Sequence, residues 1–468
     1  MNDIKEIYSL IKDISLEDKE LIQKAFDFAN LAHEGYVRKS GEPYINHLFG
    51  TAKNLASLGM NAIVVSAGLL HDSIEDTEIT SHDIEKEFGP EILFLVEGVT
   101  KLGSIKYRGT NRYNESMRKL FIAMSKDLRV LIIKLCDRLH NMQTLQHVPK
   151  EKQLRIAKET LEIYAPLAYR LGIKTLQREL EDLAFSYAYP KEFEEINKIL
   201  KKKRDEVEEH LDNFEKSLKK ELAKNEITEF RMDHRVKSMY SLYKKLEKYK
   251  WEVEAIYDIS ALRVTVKEVA DCYRILGIVH GVWRPLPGRI KDYIASPKLN
   301  GYRSIHTTIF TGDGGIIEVQ IRTEEMHNEA EYGVASHLSY KEGGRNTSWI
   351  QELVDFQKEA GDDFLEHAKK DFFEERIFVF TPIGDVIDLP KESTVIDFAY
   401  AIHTDIGEHV AGAKVNGKFV AITKTLQNGD RVEIETKKSA KPSKKWLENC
   451  KTTMARRKIT NYLENTKS

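Results

Sequence analysis

Cysteine is scarce in this chain: 468 residues contain three, Cys136, Cys272 and Cys450, far apart and without metal-ligand spacing. With no leader-like N-terminus, this points to a reducing cytoplasm as the expected location. Long apolar runs are missing too. None reaches the roughly 18 residues that crossing a bilayer requires, so no membrane partner is expected. Nor is there charge of one sign: 72 Lys and Arg stand against 74 Asp and Glu, a net −2. A phosphate site must therefore be a local cluster and not a basic surface. No Gly-x-x-x-x-Gly-Lys-Ser/Thr segment occurs, which excludes a P-loop enzyme. Internal repeats are absent as well.

What is present is an ordinary soluble balance, 41% hydrophobic and 31% charged, in a chain long enough for about three domains. From residue 1 to about 189, apolar residues such as Leu21, Ile22, Ala25, Phe26, Ala29 and Ala32 recur at helical spacing. Breakers at Gly35, Gly41-Glu42-Pro43 and Phe88-Gly89-Pro90 separate the segments. An all-α domain is expected over 1–195. Residues 191–224 are dense in Lys and Glu, with a thin apolar seam at Ile196, Ile199, Leu200, Val207, Leu211, Phe214 and Leu218. This reads as a long solvated connecting helix. It leads into an α/β domain over 196–345, where residues 261–266 and 316–322 have strand character. A helical linker over 346–372 follows. A small β-rich module over 373–436 comes next, with turns at Pro382-Ile383-Gly384-Asp385, Asn416-Gly417 and Asn428-Gly429-Asp430. A basic tail closes the chain over 437–468.

The sharpest signal in the helical domain is His71-Asp72-Ser73-Ile74-Glu75-Asp76. On a helix, His71 and Glu75 are one turn apart, as are Asp72 and Asp76, so all four would share a face. An adjacent nitrogen and oxygen donor suit a divalent metal of intermediate hardness. Further ligands must come from elsewhere, and His47 and Asp137 are the best candidates. Asn141, one turn after Asp137, would face the same site. A lone His-Asp pair is more often ordinary core. The order of a His, then His-Asp, then a distant Asp carries the reading.

The second constellation lies in the α/β region. Arg289, Lys291 and Lys298 follow the Pro285-Leu286-Pro287-Gly288 turn, and Arg235, Lys237, Lys244 and Lys245 form an earlier basic group. Such clusters suit a triphosphate, because phosphoryl transfer depends on positioning and charge neutralisation. Tyr302, Ser304, His306 and Thr308 alternate along an expected strand and would share a face, an arrangement that cross-strand packing explains equally well. Glu318, Gln320 and Arg322 would form an exposed or catalytic face opposite Val319 and Ile321. Asp258 could pair with Glu318 around Mg²⁺.

These strings resemble the RelA/SpoT family along nearly the whole chain. Arg38-Lys39-Ser40-Gly41-Glu42-Pro43-Tyr44-Ile45, residues 71–77, Gly98-Val99-Thr100-Lys101-Leu102 and Asp137-Arg138-Leu139-His140-Asn141-Met142 resemble its HD hydrolase domain. Arg289-Ile290-Lys291-Asp292-Tyr293-Ile294, Pro297-Lys298-Leu299-Asn300-Gly301-Tyr302 and Glu318-Val319-Gln320-Ile321-Arg322-Thr323 look like its nucleotidyltransferase-like synthetase domain. Asp397-Phe398-Ala399-Tyr400-Ala401-Ile402-His403-Thr404 and Val415-Asn416-Gly417 resemble its small β-grasp-like TGS domain.

The resemblance implies two reactions: transfer of pyrophosphate from ATP to the 3′-hydroxyl of GDP or GTP, and hydrolysis of the 3′-pyrophosphate of (p)ppGpp. It implies Mn²⁺ on His47, His71, Asp72 and Asp137, with Glu75 and Asp76 handling protons and water. Arg38 would pack on guanine, with Lys39, Ser40, Asn141 and Thr144 nearby. At the other site Asp258 and Glu318 would serve Mg²⁺, and Glu318 would also activate the hydroxyl. Arg235, Lys237, Arg289, Lys291, Lys298 and His306 would hold phosphates, and Tyr302 would stack on guanine. His403 matches a residue contacting uncharged tRNA, with the ribosome as a further partner, although a helix cap is an equal reading of it. Long family members continue beyond the point where this chain stops, so it is either a shortened piece or a naturally short form. Two alternatives stay open: one activity silent, or a tRNA or ribosome sensor with vestigial catalytic domains.

Overall fold

Ser15 starts the first long helix. Its hydroxyl accepts from the Asp18 amide at 3.0 Å while the Asp18 carboxylate returns to the Ser15 amide. This reciprocal cap opens a helix that buries Ile22, Ala25 and Ala29, the stripe expected from the sequence. The computed structural model describes residues 3–100, 122, 126–252, 260–298, 300–312, 315–338 and 376–466. Those up to 338 form one compact unit and 376–466 belong to a second. The expected linker over 346–372 lies outside the described residues, as does Asp258.

The first unit begins with helices α1 (Lys5–Leu10), α2 (Leu16–Ala32), α3 (Ile45–Ser57), α4 (Ala62–Leu70), α5 (Ser73–Asp76) and α6 (Ser81–Thr100). Then come α7 (Leu128–Gln143), α8 (Lys150–Glu159), a π-turn at Thr160–Tyr164, α9 (Ala165–Arg170), α10 (Lys174–Ala188) and α11 (Pro190–Lys224). Among the described residues of this stretch there is no strand, only an isolated bridge between Val37 and Pro43. The all-α expectation holds. Every residue of α4 except Ile63 is buried, so it is the central rod of the bundle.

One local expectation is corrected. A helix was expected to run through His71 to Asp76, but α4 stops at Leu70 and α5 restarts at Ser73. Two side-chain hydrogen bonds take backbone carbonyls that a continuing helix would use: Thr100 Oγ1 meets the His71 carbonyl at 3.3 Å, and His71 Nδ1 meets the Gly68 carbonyl at 2.8 Å.

The sheet follows α11. Its elements are β1 (Phe230–Val236), α12 (Met239–Lys248), β2 (Ser260–Val266), α13 (Val269–Val282), β3 (Lys291–Asp292), β4 (Ile305–Phe310), β5 (Ile316–Thr323), α14 (Glu324–Tyr332) and α15 (Ala335–Leu338). Strand order is β1-β2-β5-β4-β3, with β2 and β5 parallel and the other pairs antiparallel. Period-two alternation sorts the two faces. Leu262, Val264, Ile309, Ile317, Val319 and Ile321 join Cys272, Ile275 and Val279 of α13 in one core. Leu211, Phe214, Leu218 and Leu222 of α11 complete that core. The expected solvated connector is therefore corrected: the C-terminal half of α11 is a covering layer of the sheet, because its thin seam is wide enough to meet one apolar face.

The opposite face is corrected too. Gln320 is 2% and Arg322 1% exposed, so this polar face is not open to solvent. Glu331 on α14 compensates the buried cations, meeting Arg322 at 3.2 Å, Arg263 at 3.6 Å and Arg178 at 2.6 Å. Burying a guanidinium without such a partner would be strongly unfavourable.

Helix α10 packs against α7, α8 and α9 and also against α12 and α14, so both halves of the unit share it. On it, Glu181 Oε1 accepts from Gln177 Nε2 at 2.9 Å, while Oε2 is buried with no partner among the described residues. Burial pushes this carboxyl up to about 7. Below its unfolded value, about 4.3, both states hold the proton and no stability is lost. Between that value and about 7 the folded state still holds a proton that the unfolded chain has released, so stability falls across this window and the loss is complete above it. The deficit grows to at most about 4 kcal/mol. Glu181→Gln should thus raise the unfolding midpoint at pH 8 and leave it nearly unchanged at pH 4. Equal shifts at both values would contradict this.

The second unit contains β6 (Arg376–Phe380), β7 (Val386–Pro390), α16 (Val395–Ile402), α17 (Thr404–Glu408), β8 (Val410–Val415), β9 (Lys418–Val420) and β10 (Val432–Thr436). β6 and β7 form a hairpin, and β10-β8-β9 a second antiparallel sheet. The stretch beyond 436 is more than a basic tail. It forms α18 (Lys444–Asn449) and α19 (Thr453–Asn465), and Trp446, Cys450, Ala455 and Ile459 enter the same core as Phe398 and Val432. Fully buried Asp397 joins the parts, accepting from the amides of Thr394 at 2.7 Å, Lys451 at 3.0 Å and Thr452 at 2.8 Å. No described helix is long and apolar enough to cross a membrane.

Candidate active sites

Three helices deliver the first site. His47 comes from α3, His71 from the end of α4 and Asp137 from α7; they are 2%, 1% and 5% exposed. One ligand atom from each lies within 4.8 Å of the others. His47 Nε2 is 3.2 Å from Asp137 Oδ1 and 3.6 Å from Asp72 Oδ2, and His71 Nε2 is 3.1 Å from Asp72 Oδ2. All four expected ligands converge. Glu75 and Asp76 stand exposed at the rim on α5.

The approach of α3 to α7 depends on Gly50, where an added Cβ would lie 2.0 Å from His140 Cδ2. His140 Nδ1 in turn meets His47 Nδ1 at 2.9 Å. Gly50→Ala should displace His140 and with it His47. A drop of roughly 10- to 100-fold in metal affinity, the range for disturbed second-layer contacts, is expected in a metal titration of the purified chain. Unchanged affinity would contradict the coupling.

Donor chemistry fits a divalent cation. His71 Nδ1 lies 2.8 Å from the Gly68 carbonyl. Donation there turns Nε2 toward the site, where it is buried beside the Asp72 and Asp137 carboxylates and becomes the metal-facing nitrogen once a cation displaces its proton. Burial works against a charged His71, yet Asp72 and Asp137 outweigh it and hold the imidazole at about 9. Burial likewise opposes ionisation of Asp137, but Lys134 and the imidazoles keep it well below the ordinary carboxylate range. The field at this point favours positive charge.

Arg38 reaches the same site from the loop before α3. Its guanidinium donates to Asn141 Oδ1 at 2.5 Å and Thr144 Oγ1 at 3.0 Å, and Asn141 Nδ2 donates to Asp137 Oδ1 at 2.6 Å. Lys39 and Ser40 lie in the adjoining turn, closed by the Gly41 amide on the Arg38 carbonyl at 2.9 Å. Three partners escaped sequence reasoning. Tyr44 bridges Asp72 and Asp76 at 2.9 and 2.8 Å, Lys134 donates to Asp137 Oδ2 at 2.8 Å, and His140 abuts His47. Tyr44 stands three residues before His47, Lys134 three before Asp137 and His140 three after it, so helical spacing from the ligands was the available signal.

The second site lies on the polar face of the sheet. Glu318 on β5 sits opposite Ala261 of β2 and Thr308 of β4. Its Oε1 accepts from Gln320 Nε2 at 2.6 Å and is 3.5 Å from His306 Nδ1. Gln320 Oε1 accepts from Arg235 at 3.1 Å, and His306 Nε2 meets the Tyr302 hydroxyl at 2.8 Å. Lys298 Nζ lies 4.7 Å from the Tyr293 ring centroid, and Lys291 pairs in register with His306. Burial, then Lys291 and Arg235, push the Lys298 ammonium down to about 8. Burial and Lys298 push His306 well below its ordinary value. Cations crowd here around one carboxylate.

Arg289 stands exposed in the loop before β3, and Lys237 follows β1. Tyr302 and Ser304 precede β4 and are 3% and 0% exposed, so Tyr302 is covered and not an open platform. Asp258 is outside the described residues, and its distance from Glu318 is not part of this geometry. In the second unit, exposed His403 accepts from the Asp405 amide at 3.2 Å and caps α17.

Comparison with known proteins places these sites in a family. A model described as "HD domain" matches residues 25–174, one described as "Region found in RelA / SpoT proteins" matches 234–345, and "TGS domain" matches 377–436. A guanosine-3′,5′-bis(diphosphate) 3′-pyrophosphohydrolase of Aquifex aeolicus is 46% identical over 95% of this chain and 65% of its own length. A GTP pyrophosphokinase of Myxococcus xanthus is 43% identical over 96% of this chain and 61% of its own. The chain thus spans less than two thirds of those two relatives. A guanosine-3′,5′-bis(diphosphate) 3′-pyrophosphohydrolase of Borreliella burgdorferi is 44% identical, over 95% of this chain and 68% of its own length. With that coverage, and with the three domain matches in order, the chain belongs to the RelA/SpoT family.

Proposed function

We propose that the chain is a two-site alarmone enzyme. One site transfers pyrophosphate from ATP to the 3′-hydroxyl of GDP or GTP, and the other hydrolyses the 3′-pyrophosphate of (p)ppGpp. The observation that carries this is the presence, in one unit, of a buried His47–His71–Asp137 cluster with Asp72 against both imidazoles, and a separate Glu318 ringed by cations. The relatives' names, a pyrophosphohydrolase and a pyrophosphokinase, match the two halves of the reading.

At the hydrolytic site, His47, His71, Asp72 and Asp137 would hold Mn²⁺, which supplies an acidified water and charge for the departing pyrophosphate. Glu75 and Asp76, at the rim, would accept and relay the water's proton. Burial and the Asp72 carboxylate raise the Glu75 carboxyl, which brings it nearer the working range of a general base. Arg38 would face guanine, with Lys39, Ser40, Asn141 and Thr144 around the nucleotide. At the synthetic site Glu318, with Asp258, would hold Mg²⁺, and Glu318 would take the proton of the attacking 3′-hydroxyl. Arg235, Lys237, Arg289, Lys291, Lys298 and His306 would hold phosphates in line, which is most of what such a transfer needs. Tyr302 would meet the guanine base once the lysines over its ring, Lys174 and Lys298, swing onto phosphates and uncover it.

The proposed division is 1–195 for hydrolysis, 196–345 for synthesis, 346–372 as linker and 373–436 as the TGS module. Uncharged tRNA and the ribosome are its proposed partners through His403, and the cytoplasm its proposed location. The test is incubation of purified protein with ATP and GDP, and separately with ppGpp, with and without Mn²⁺, followed by separation of nucleotides. Formation of ppGpp in the first and Mn²⁺-dependent release of pyrophosphate in the second are expected. Failure of one reaction leaves a single-activity enzyme; failure of both removes the reading.

A further inference from the structure

Lys174 is the first residue of α10 and precedes the stretch that matches RelA/SpoT proteins. Its ammonium nevertheless lies in the synthetic site, 3.6 Å from the Tyr302 ring centroid. The backbone holds it there. The Val334 amide donates to the Leu171 carbonyl at 2.9 Å, Thr175 Oγ1 donates to the Glu331 carbonyl at 2.9 Å, and Arg178 donates to Glu331 Oε2 at 2.6 Å. At Gly333, φ is +53 and an added Cβ would lie 2.2 Å from the Leu171 carbonyl oxygen, so only glycine permits this junction.

Among the described residues, no carboxylate forms an ion pair with Lys174. Glu331 is engaged by Arg178, Arg263 and Arg322, and Glu318 accepts from Gln320. Arg235, Lys298 and Arg322 add positive charge nearby; together with burial they push the Lys174 ammonium well below the ordinary lysine range. An aromatic face is a modest partner for an ammonium, and a crowded cation of this kind calls for an external polyanion.

We infer that Lys174 is a further binding residue of the synthetic site, whose ammonium leaves the Tyr302 ring to take a phosphate of the guanine nucleotide. This rests on the synthetase reading above and extends the site onto the helix shared with the hydrolytic half.

The experiment compares the full chain with Lys174→Met and Lys174→Arg. GDP binding is measured by calorimetry on an Arg38→Ala background, which removes the guanine contact proposed for the other site. Unfolding midpoints and the KM for ATP are measured alongside. Removing one charge-assisted phosphate contact should weaken GDP binding roughly ten- to a hundredfold in Lys174→Met, while Lys174→Arg keeps most of it. The midpoint of Lys174→Met should be equal or higher, because a crowded cation is gone, and its KM for ATP should be unchanged. Undiminished GDP binding in Lys174→Met overturns the inference. So does a fall in GDP and ATP affinity together with a lowered midpoint, which would mark a structural role, or faster synthesis, which would mark Lys174 as an obstruction. A parent chain that binds GDP yet transfers no pyrophosphate removes the synthetase reading, while the GDP comparison still decides Lys174.

Discussion

His71→Ala should lower ppGpp hydrolysis on the order of 10³-fold or more, the scale on which lost charge stabilisation and lost water activation act, and leave synthesis in place. His71 has no substitute. Its ring is fixed by Gly68, its Nε2 lies between Asp72 and Asp137, and both carboxylates are largely hidden from water. Removing the imidazole takes away a metal donor and leaves two negative groups facing each other, an arrangement that disfavours both ionised forms. Parallel assays on one preparation measure the separation. Loss of both activities with an unchanged unfolding midpoint would contradict two independent centres.

Glu318→Gln should do the converse. The amide keeps the size of the side chain and can still meet Gln320, so the fold of β5 should persist. It cannot accept the proton of a 3′-hydroxyl, and it is a poor partner for a hard cation. Losing a positioned base removes about 10²–10⁴ in rate, read as formation of ppGpp from ATP and GDP. Retained GDP affinity in this variant would assign the loss to chemistry and not to binding. Synthesis within a few-fold of the parent chain would mean that another group takes the proton.

Much of this was legible in the residues. The stripe on α2, the strand at 316–322 and the His, His-Asp, Asp order each carry a period or a chemical pairing that survives folding, and the four side chains lie near one another. What escaped were relations between segments. Helical spacing sets Tyr44 beside His47, but nothing local indicates that it will join Asp72 to Asp76 across 28 and 32 positions. Gly50 reads as one more small residue in a helix until His140 is packed against it. The polar alternation at Glu318, Gln320 and Arg322 reads as an exposed or a catalytic face, and a sequence does not reveal that Glu331 will pair with three arginines beneath a helix. The same limit applied to α11, whose dense lysines and glutamates describe its outer surface while its sparse leucines meet a sheet formed later in the chain.

The buried carboxylate of Asp397 bears on how the C-terminal module can be handled. Its recognisable pattern stops at Thr436, and a fragment cut there would seem a natural unit. Such a cut would discard the Lys451 amide together with the Thr452 amide and hydroxyl. The carboxylate would keep Thr394 but lose every partner that ties it to the last two helices, and the core would lose Trp446 beside it; each lost hydrogen bond to the charged group is worth about 1.5–3 kcal/mol. The shortest piece able to stand by itself therefore carries the last two helices, and isolated fragments ending earlier would report on a damaged fold.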